Sequence, residues 1–124
     1  MEPPRIYEKK GPEAVIQEAI IQFLQARQWF VKSTHGNLYQ SGFPDLFATH
    51  SQYRTRWIEV KCPTGYCFTP AQLRDFPKFC ANGSGVWVLT AATEEEYKKL
   101  WQPCNWWMYA ANAAPRLPQF RGRK

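Results

Sequence analysis

In Trp57-Ile58-Glu59-Val60-Lys61 the side chains alternate between apolar and charged or amphipathic. A period of two is the signature of a β-strand with one face in a core. Ile58 and Val60 project to one side as core residues, and Trp57, Glu59 and Lys61 project to the other. A carboxylate and an ammonium two residues apart are thereby held side by side on a rigid element. A chain built around such a strand must supply partner strands for it and a cover for its apolar face.

The rest of the sequence supplies both. Pro12 fits the first turn of a helix, and Glu13 to about Ala26 are good helix formers with Ile16, Ile20 and Leu24 in one apolar stripe, widened by Ile21 and Phe23. Strands are expected at Trp29–Ser33, Asp45–Thr49, Arg56–Cys62 and Val86–Thr90. His35-Gly36-Asn37 reads as a turn. Thr69-Pro70-Ala71-Gln72 has the form of a helix start, with Thr69 as N-cap and Gln72 closing a capping box. That helix runs towards Ala81, with Pro77 expected to end or kink it. Thr93 caps a helix through about Leu100, with Glu94, Glu95 and Glu96 in its first turn. Trp106-Trp107-Met108-Tyr109 is open to three readings: a last strand, a patch over the core, or a subunit interface. The order α-β-β-β-α-β-α predicts an α/β fold, a sheet with helices packed on it.

At 124 residues the chain has the length of one domain, and 44% hydrophobic residues with six Trp exclude a disordered polymer. The net charge of +6 favours an anionic partner, of which nucleic acid is the commonest. Met1–Lys10 is charged and carries two prolines, so it does not read as a signal peptide, and no run is apolar enough for a membrane span. A cytoplasmic protein is expected, in the host cytoplasm if phage-encoded. Cys62, Cys67, Cys80 and Cys104 form no CxxC pair and are expected as reduced thiols.

The chemistry concentrates in Gly42-Phe43-Pro44-Asp45-Leu46 and Ile58-Glu59-Val60-Lys61. If the two strands pair, Asp45 faces Glu59. Two carboxylates and a lysine suit metal-assisted phosphodiester hydrolysis, a reaction with a large barrier to lower. Asp45 and Glu59, with the backbone carbonyl of Val60, are candidate ligands for Mg²⁺, which takes oxygen donors and keeps several waters. Lys61 would position or deprotonate the attacking water, or stabilise the transition state. Upstream, Glu13 lies on the same helix side as Ile16, Gln17, Ile20 and Leu24, whereas Glu18 points about 140° away. Glu13 therefore reaches the sheet side. Alanine at Asp45, Glu59 or Lys61 is expected to abolish cleavage while leaving folding and DNA binding largely intact.

Pro12-Glu13 with Gln17, Gly42-Phe43-Pro44-Asp45-Leu46, Ile58-Glu59-Val60-Lys61-Cys62-Pro63 and Thr69-Pro70-Ala71-Gln72 together resemble the PD-(D/E)XK nuclease superfamily, and within it the VRR-NUC group of small phage-type nucleases, close in plan to Holliday junction resolvases. The resemblance covers about residues 12–91. It implies a restriction-endonuclease-like core, a central mixed β-sheet flanked by helices, in a single nuclease domain at 12–112 between an N-terminal arm (1–11) and a basic C-terminal tail (113–124). It implies Mg²⁺ or Mn²⁺ held by Asp45 and Glu59, Glu13 acting directly or through water, Lys61 as the catalytic lysine, and Gln72 near the scissile phosphate. The functional and capping readings of Gln72 compete. The resemblance also implies a homodimer that cuts branched DNA, with the aromatic C-terminal region as the candidate dimer surface. One departure stands out: the family often has a glycine between first helix and first strand, where this chain has Gln28, so a different turn is expected. The alternative is a catalytically inactive nucleic-acid-binding module of the same fold, binding through Lys32, Arg54, Arg56, Lys61 and the tail. A ribonuclease would use the same site.

Overall fold

A computed structural model describes residues 11–34 and 42–113. The arm at 1–10, the His35-Gly36-Asn37 turn and the basic tail from 114 onward lie outside these residues. The elements are α1 (Pro12–Gln25), β1 (Phe30–Ser33), β2 (Leu46–His50), β3 (Arg54–Val60), α2 (Pro70–Ala81), β4 (Trp87–Leu89), α3 (Glu94–Tyr97) running into a 3₁₀ turn (Lys98–Trp101), and α4 (Trp106–Ala113). The sheet order is β1-β2-β3-β4. The first two pairings are antiparallel and β3 pairs parallel with β4, so the sheet is mixed, as expected from the sequence. The parallel step requires a crossover, which α2 makes.

Each face of the sheet meets its own apolar cluster. Ile20 and Leu24 of α1 pack on Val31, Leu46, Ala48, Ile58, Val60 and Leu89. On the other face Phe76 of α2 and Trp106 and Ala110 of α4 enclose Val86 and Val88. All three residues of β4 are buried, as a strand covered on both sides must be. Its outer edge is occupied by a side chain: Asn105 accepts from the Val88 N–H at 2.7 Å and donates to the Val88 carbonyl at 3.4 Å.

Two local outcomes differ from the sequence expectation and a third narrows it. The α1–β1 turn keeps the backbone that a glycine would give, because Gln28 itself takes φ 75°. The Trp29 N–H reaches the Leu24 carbonyl at 3.1 Å and the Gln28 N–H the Gln25 carbonyl at 3.1 Å, the Schellman pattern, with Trp29 and Leu24 together in the core. A non-glycine residue in this conformation costs about 1–2 kcal/mol. Gln28→Gly is therefore expected to raise stability by up to about 1 kcal/mol, read by chemical denaturation. Secondly, Pro77 does not end α2, which continues to Ala81. Fully buried Phe76, edge-on to Phe68 and Trp106, and half-buried Phe79 anchor the helix on either side of Pro77. Thirdly, of the three readings left open for the C-terminal aromatics the strand falls away: they form a helix, and its Trp106 covers the core. Trp106 and Ala110, four residues apart on one helix face, are buried, while Trp107 and Met108 are exposed.

All four cysteines are free thiols. Cys80 Sγ lies 3.6 Å from Cys104 Sγ. Burial, then its bond to Cys104, pushes the Cys80 thiol up to about 11. The neutral thiol is the form the fold prefers. The stability tied to it is present below about pH 9 and is lost as pH rises through about 11. At pH 8, alkylation followed by mass mapping is expected to label exposed Cys67 well before Cys80.

Candidate active site

Asp45 is positioned from both sides of its backbone. Thr34, just past β1, donates its N–H to the Asp45 carbonyl at 2.9 Å and its hydroxyl to the same oxygen at 3.1 Å, with a second hydroxyl contact to the Pro44 carbonyl. Upstream, Gly42 lies so close to α2 that an added Cβ would sit 2.0 Å from Asp75 Oδ2. The loop can approach the helix at that point only without a side chain, unless Asp75 moves.

The register places Leu46 opposite Ile58, which puts Asp45 across from Glu59. The two acids are cross-braced through backbone: the Asp45 N–H donates to Glu59 Oε1 at 3.2 Å and the Val60 N–H donates to Asp45 Oδ2 at 2.8 Å. Glu59 is fully buried and Asp45 nearly so. Buried carboxylates are sustained by hydrogen bonds and opposite charge, and here both are present.

The opposite charge is Lys61, which lies one residue beyond β3 and not within it. Its N–H still continues the ladder to the Leu89 carbonyl at 3.2 Å. Its ammonium is 3.1 Å from Glu59 Oε2, donates to the Cys67 carbonyl at 2.8 Å and to Gln72 Oε1 at 3.3 Å, and sits 4.5 Å from the centre of the Phe68 ring. Those three oxygens match the three N–H donors of an ammonium.

Gln72 closes the capping box and also reaches Glu59. Its Oε1 accepts from the Thr69 N–H at 3.0 Å while its own backbone N–H donates to the Thr69 hydroxyl oxygen at 3.1 Å, a complete capping box. Its amide nitrogen donates to Glu59 Oε2 at 2.9 Å. One side chain thus starts α2 and orients the buried acid.

Glu13 comes to the edge of this group: Glu13 Oε2 accepts from the Cys62 N–H at 3.1 Å, one residue past Lys61. It does not close a three-ligand cage. Among the described residues no three His, Cys, Asp or Glu side chains gather closely enough to hold a metal ion by themselves. The two carboxylates that do come together, Asp45 and Glu59, offer hard oxygens. They suit a cation such as Mg²⁺ that fills its remaining positions with water and substrate phosphate. One turn after Glu13, Gln17 is buried and its Oε1 has no hydrogen-bond partner among the described residues. Such an oxygen calls for a donor such as an ordered water.

The sequence matches no family model and no curated protein sequence. A solved structure described as a VRR_NUC domain aligns with 73% of this chain and 96% of its own, at a TM-score of 0.58 and 25% identity. The chain has a VRR-NUC-type, PD-(D/E)XK nuclease-like fold. Asp45, Glu59, Lys61 and Gln72 meet at one point of this VRR-NUC-type domain, with Glu13 at its margin. Among the described residues, the four cations named for a purely binding module differ in exposure. Lys61 is buried, and Arg56 is engaged by the Leu100 carbonyl at 2.8 Å and the Trp87 ring, with burial lowering its pKa. Lys32 and Arg54 are exposed, and the tail lies outside the described residues. Sequence reasoning missed Cys67 and Phe68, which complete the lysine's surroundings. The alternation of Tyr66, Phe68 and the cap at Thr69 was the available signal. No helix among the described residues is long and apolar enough to cross a membrane.

Proposed function

We propose that this VRR-NUC-type domain is a metal-dependent endonuclease that hydrolyses DNA phosphodiester bonds. The observation that carries the reading is the cross-braced Asp45–Glu59 pair with the Lys61 ammonium 3.1 Å from Glu59. Paired buried acids would repel a phosphate backbone unless a cation joined them. Asp45, Glu59 and the Val60 carbonyl would hold Mg²⁺, or Mn²⁺ in its place. When bound, that ion supplies Lewis-acid activation of water and charge neutralisation at the phosphate.

The chain's own residues do the rest. Hydrolysis forms one P–O bond and breaks another, and negative charge gathers on the phosphoryl oxygens on the way. Lys61 is held in a partly dehydrated pocket where its charge acts strongly. Substrate would exchange its longest bond, the 3.3 Å contact to Gln72, for a phosphate oxygen. Gln72 keeps Glu59 oriented throughout, which makes it a positioning residue. Glu13 and Gln17 would bind water at the rim. Selectivity for branched DNA and a homodimer belong to the same proposal. A two-fold pair of sites suits paired nicks in a symmetric junction, and exposed Trp107 and Met108 on α4 offer an apolar contact for a second copy.

The test is a cleavage panel of single strand, duplex, flap and four-way junction, each in DNA and RNA, with Mg²⁺ or with EDTA, beside a molar-mass measurement. Scission that needs Mg²⁺ and favours junctions supports the reading. Scission that persists in EDTA, or none on any substrate, overturns it.

A further inference from the structure

The face of the sheet that carries Glu59 continues well beyond the acids. Side chains on one face recur every second residue, about 6.8 Å apart along a strand. Next to Glu59 on this face comes the cross-strand row Lys32–Phe47–Trp57, and after it the row Phe30–Thr49–Thr55. α2 shelters part of the first row, where Trp57 meets Phe43 and Phe79 edge-on or tilted. The second row is open. Phe30, Thr49, Thr55 and Trp57 line a groove of about 750 Å³, together with Arg54 from the end of the β2–β3 turn and Ser84 from the turn after α2.

The geometry points to this groove as a binding site for an unpaired nucleic-acid strand leaving the Asp45–Glu59 site. This inference rests on the nuclease reading and names the part of the substrate the site would recognise. Four observations carry it. Phe30 is 60% exposed, an aromatic face offered to solvent in the lining of a concavity. No acidic side chain lines the groove among the described residues, whereas Arg54 does, with Lys32 one row away. Neither cation is tied in an ion pair among the described residues. Lastly, Arg54 holds φ 71°, a conformation that favours glycine at the end of the β2–β3 turn. A charged side chain where glycine would be less strained points to a role for that side chain, and the groove beside it offers one.

An aromatic, hydroxyl and cationic lining and the lack of acids are the makings of a single-strand site, where bases stack and phosphates meet cations. A rigid duplex presents its bases stacked inward and cannot use Phe30 in this way. The row spacing sets the groove about 13 Å from Glu59 along β3, within reach of a strand only a few nucleotides long.

The experiment is a fluorescence-anisotropy titration, in EDTA, of the full chain with a short oligothymidylate and with a blunt duplex. Phe30→Ala is expected to weaken the oligothymidylate about 5- to 50-fold and the duplex less than about twofold, since its phosphates alone carry that binding. Arg54→Gly is expected to weaken the single strand and to flatten its log–log salt dependence by about 0.7, with a melting temperature equal to or above that of the parent chain. That last readout separates loss of a contact from loss of fold. Unchanged oligothymidylate affinity in both variants overturns the proposal, as does a Phe30→Ala chain that turns from dimer to monomer, which would make the groove a subunit contact. Single-strand binding that needs Phe30 without Mg²⁺-dependent scission would overturn the nuclease reading and leave the groove. Scission with no effect of either variant on binding would do the reverse.

Discussion

Asp45→Asn is expected to abolish Mg²⁺-dependent scission, lowering the rate about a thousandfold or more, while the fold keeps its stability. The magnitude follows from removing one ligand charge from a site where the ion's contribution is several kcal/mol, each 1.4 kcal/mol being about a factor of ten. The stability expectation follows from geometry. Asp45 Oδ2 accepts from the Val60 N–H at 2.8 Å, and an asparagine carbonyl accepts the same bond. Removing one of two neighbouring buried acids also relieves like-charge repulsion. Single-turnover cleavage beside a urea titration checks both halves. A variant that still cuts at parental rate removes Asp45 from the site, and a variant that unfolds assigns it to the architecture alone.

Lys61→Ala is expected to behave differently, losing about 3–5 kcal/mol of folding stability as well as activity. Lys61 is 4% exposed and Glu59 is fully buried, so deleting the ammonium leaves an uncompensated charge in the interior. The sequence alone suggests that alanine at this position would spare the fold, because a strand lysine normally faces water. Its burial changes that expectation. Glu59→Gln in the Lys61→Ala background is expected to return most of the loss, since glutamine keeps the shape without the charge. The coupling between the two positions, read from a double-mutant cycle of denaturation free energies, should exceed the ~0.2–1 kcal/mol typical of exposed pairs. A coupling near zero would mean that water reaches the pair freely.

The alternation at Ile58-Glu59-Val60 was enough to place a strand and to put an acid opposite Asp45, because register in a half-buried sheet is dictated by which residues must face the core. The α1 stripe was legible for the same reason: of Ile16, Ile20 and Leu24 the last two are buried and Ile16 is half-buried, with Gln17 on the same side buried beside them. What could not be read depends on contacts between distant segments. Gln72 looks like a helix cap from its neighbours, and its bond to Glu59 exists only once α2 crosses the sheet. Pro77 and Gln28 break local rules that packing overrides. The open aromatic row was invisible because Phe30, Thr49 and Thr55 come from three strands and join only through register.

The amide of Asn105, hydrogen-bonded both ways to Val88, has a bearing on assembly. With the Trp106 N–H on the Val86 carbonyl at 3.3 Å, it stops that margin of the sheet from templating another strand. Growth by backbone pairing is thus one-sided. Any polypeptide that lengthens this sheet has to do so alongside Phe30–Ser33, at the margin farthest from the seal.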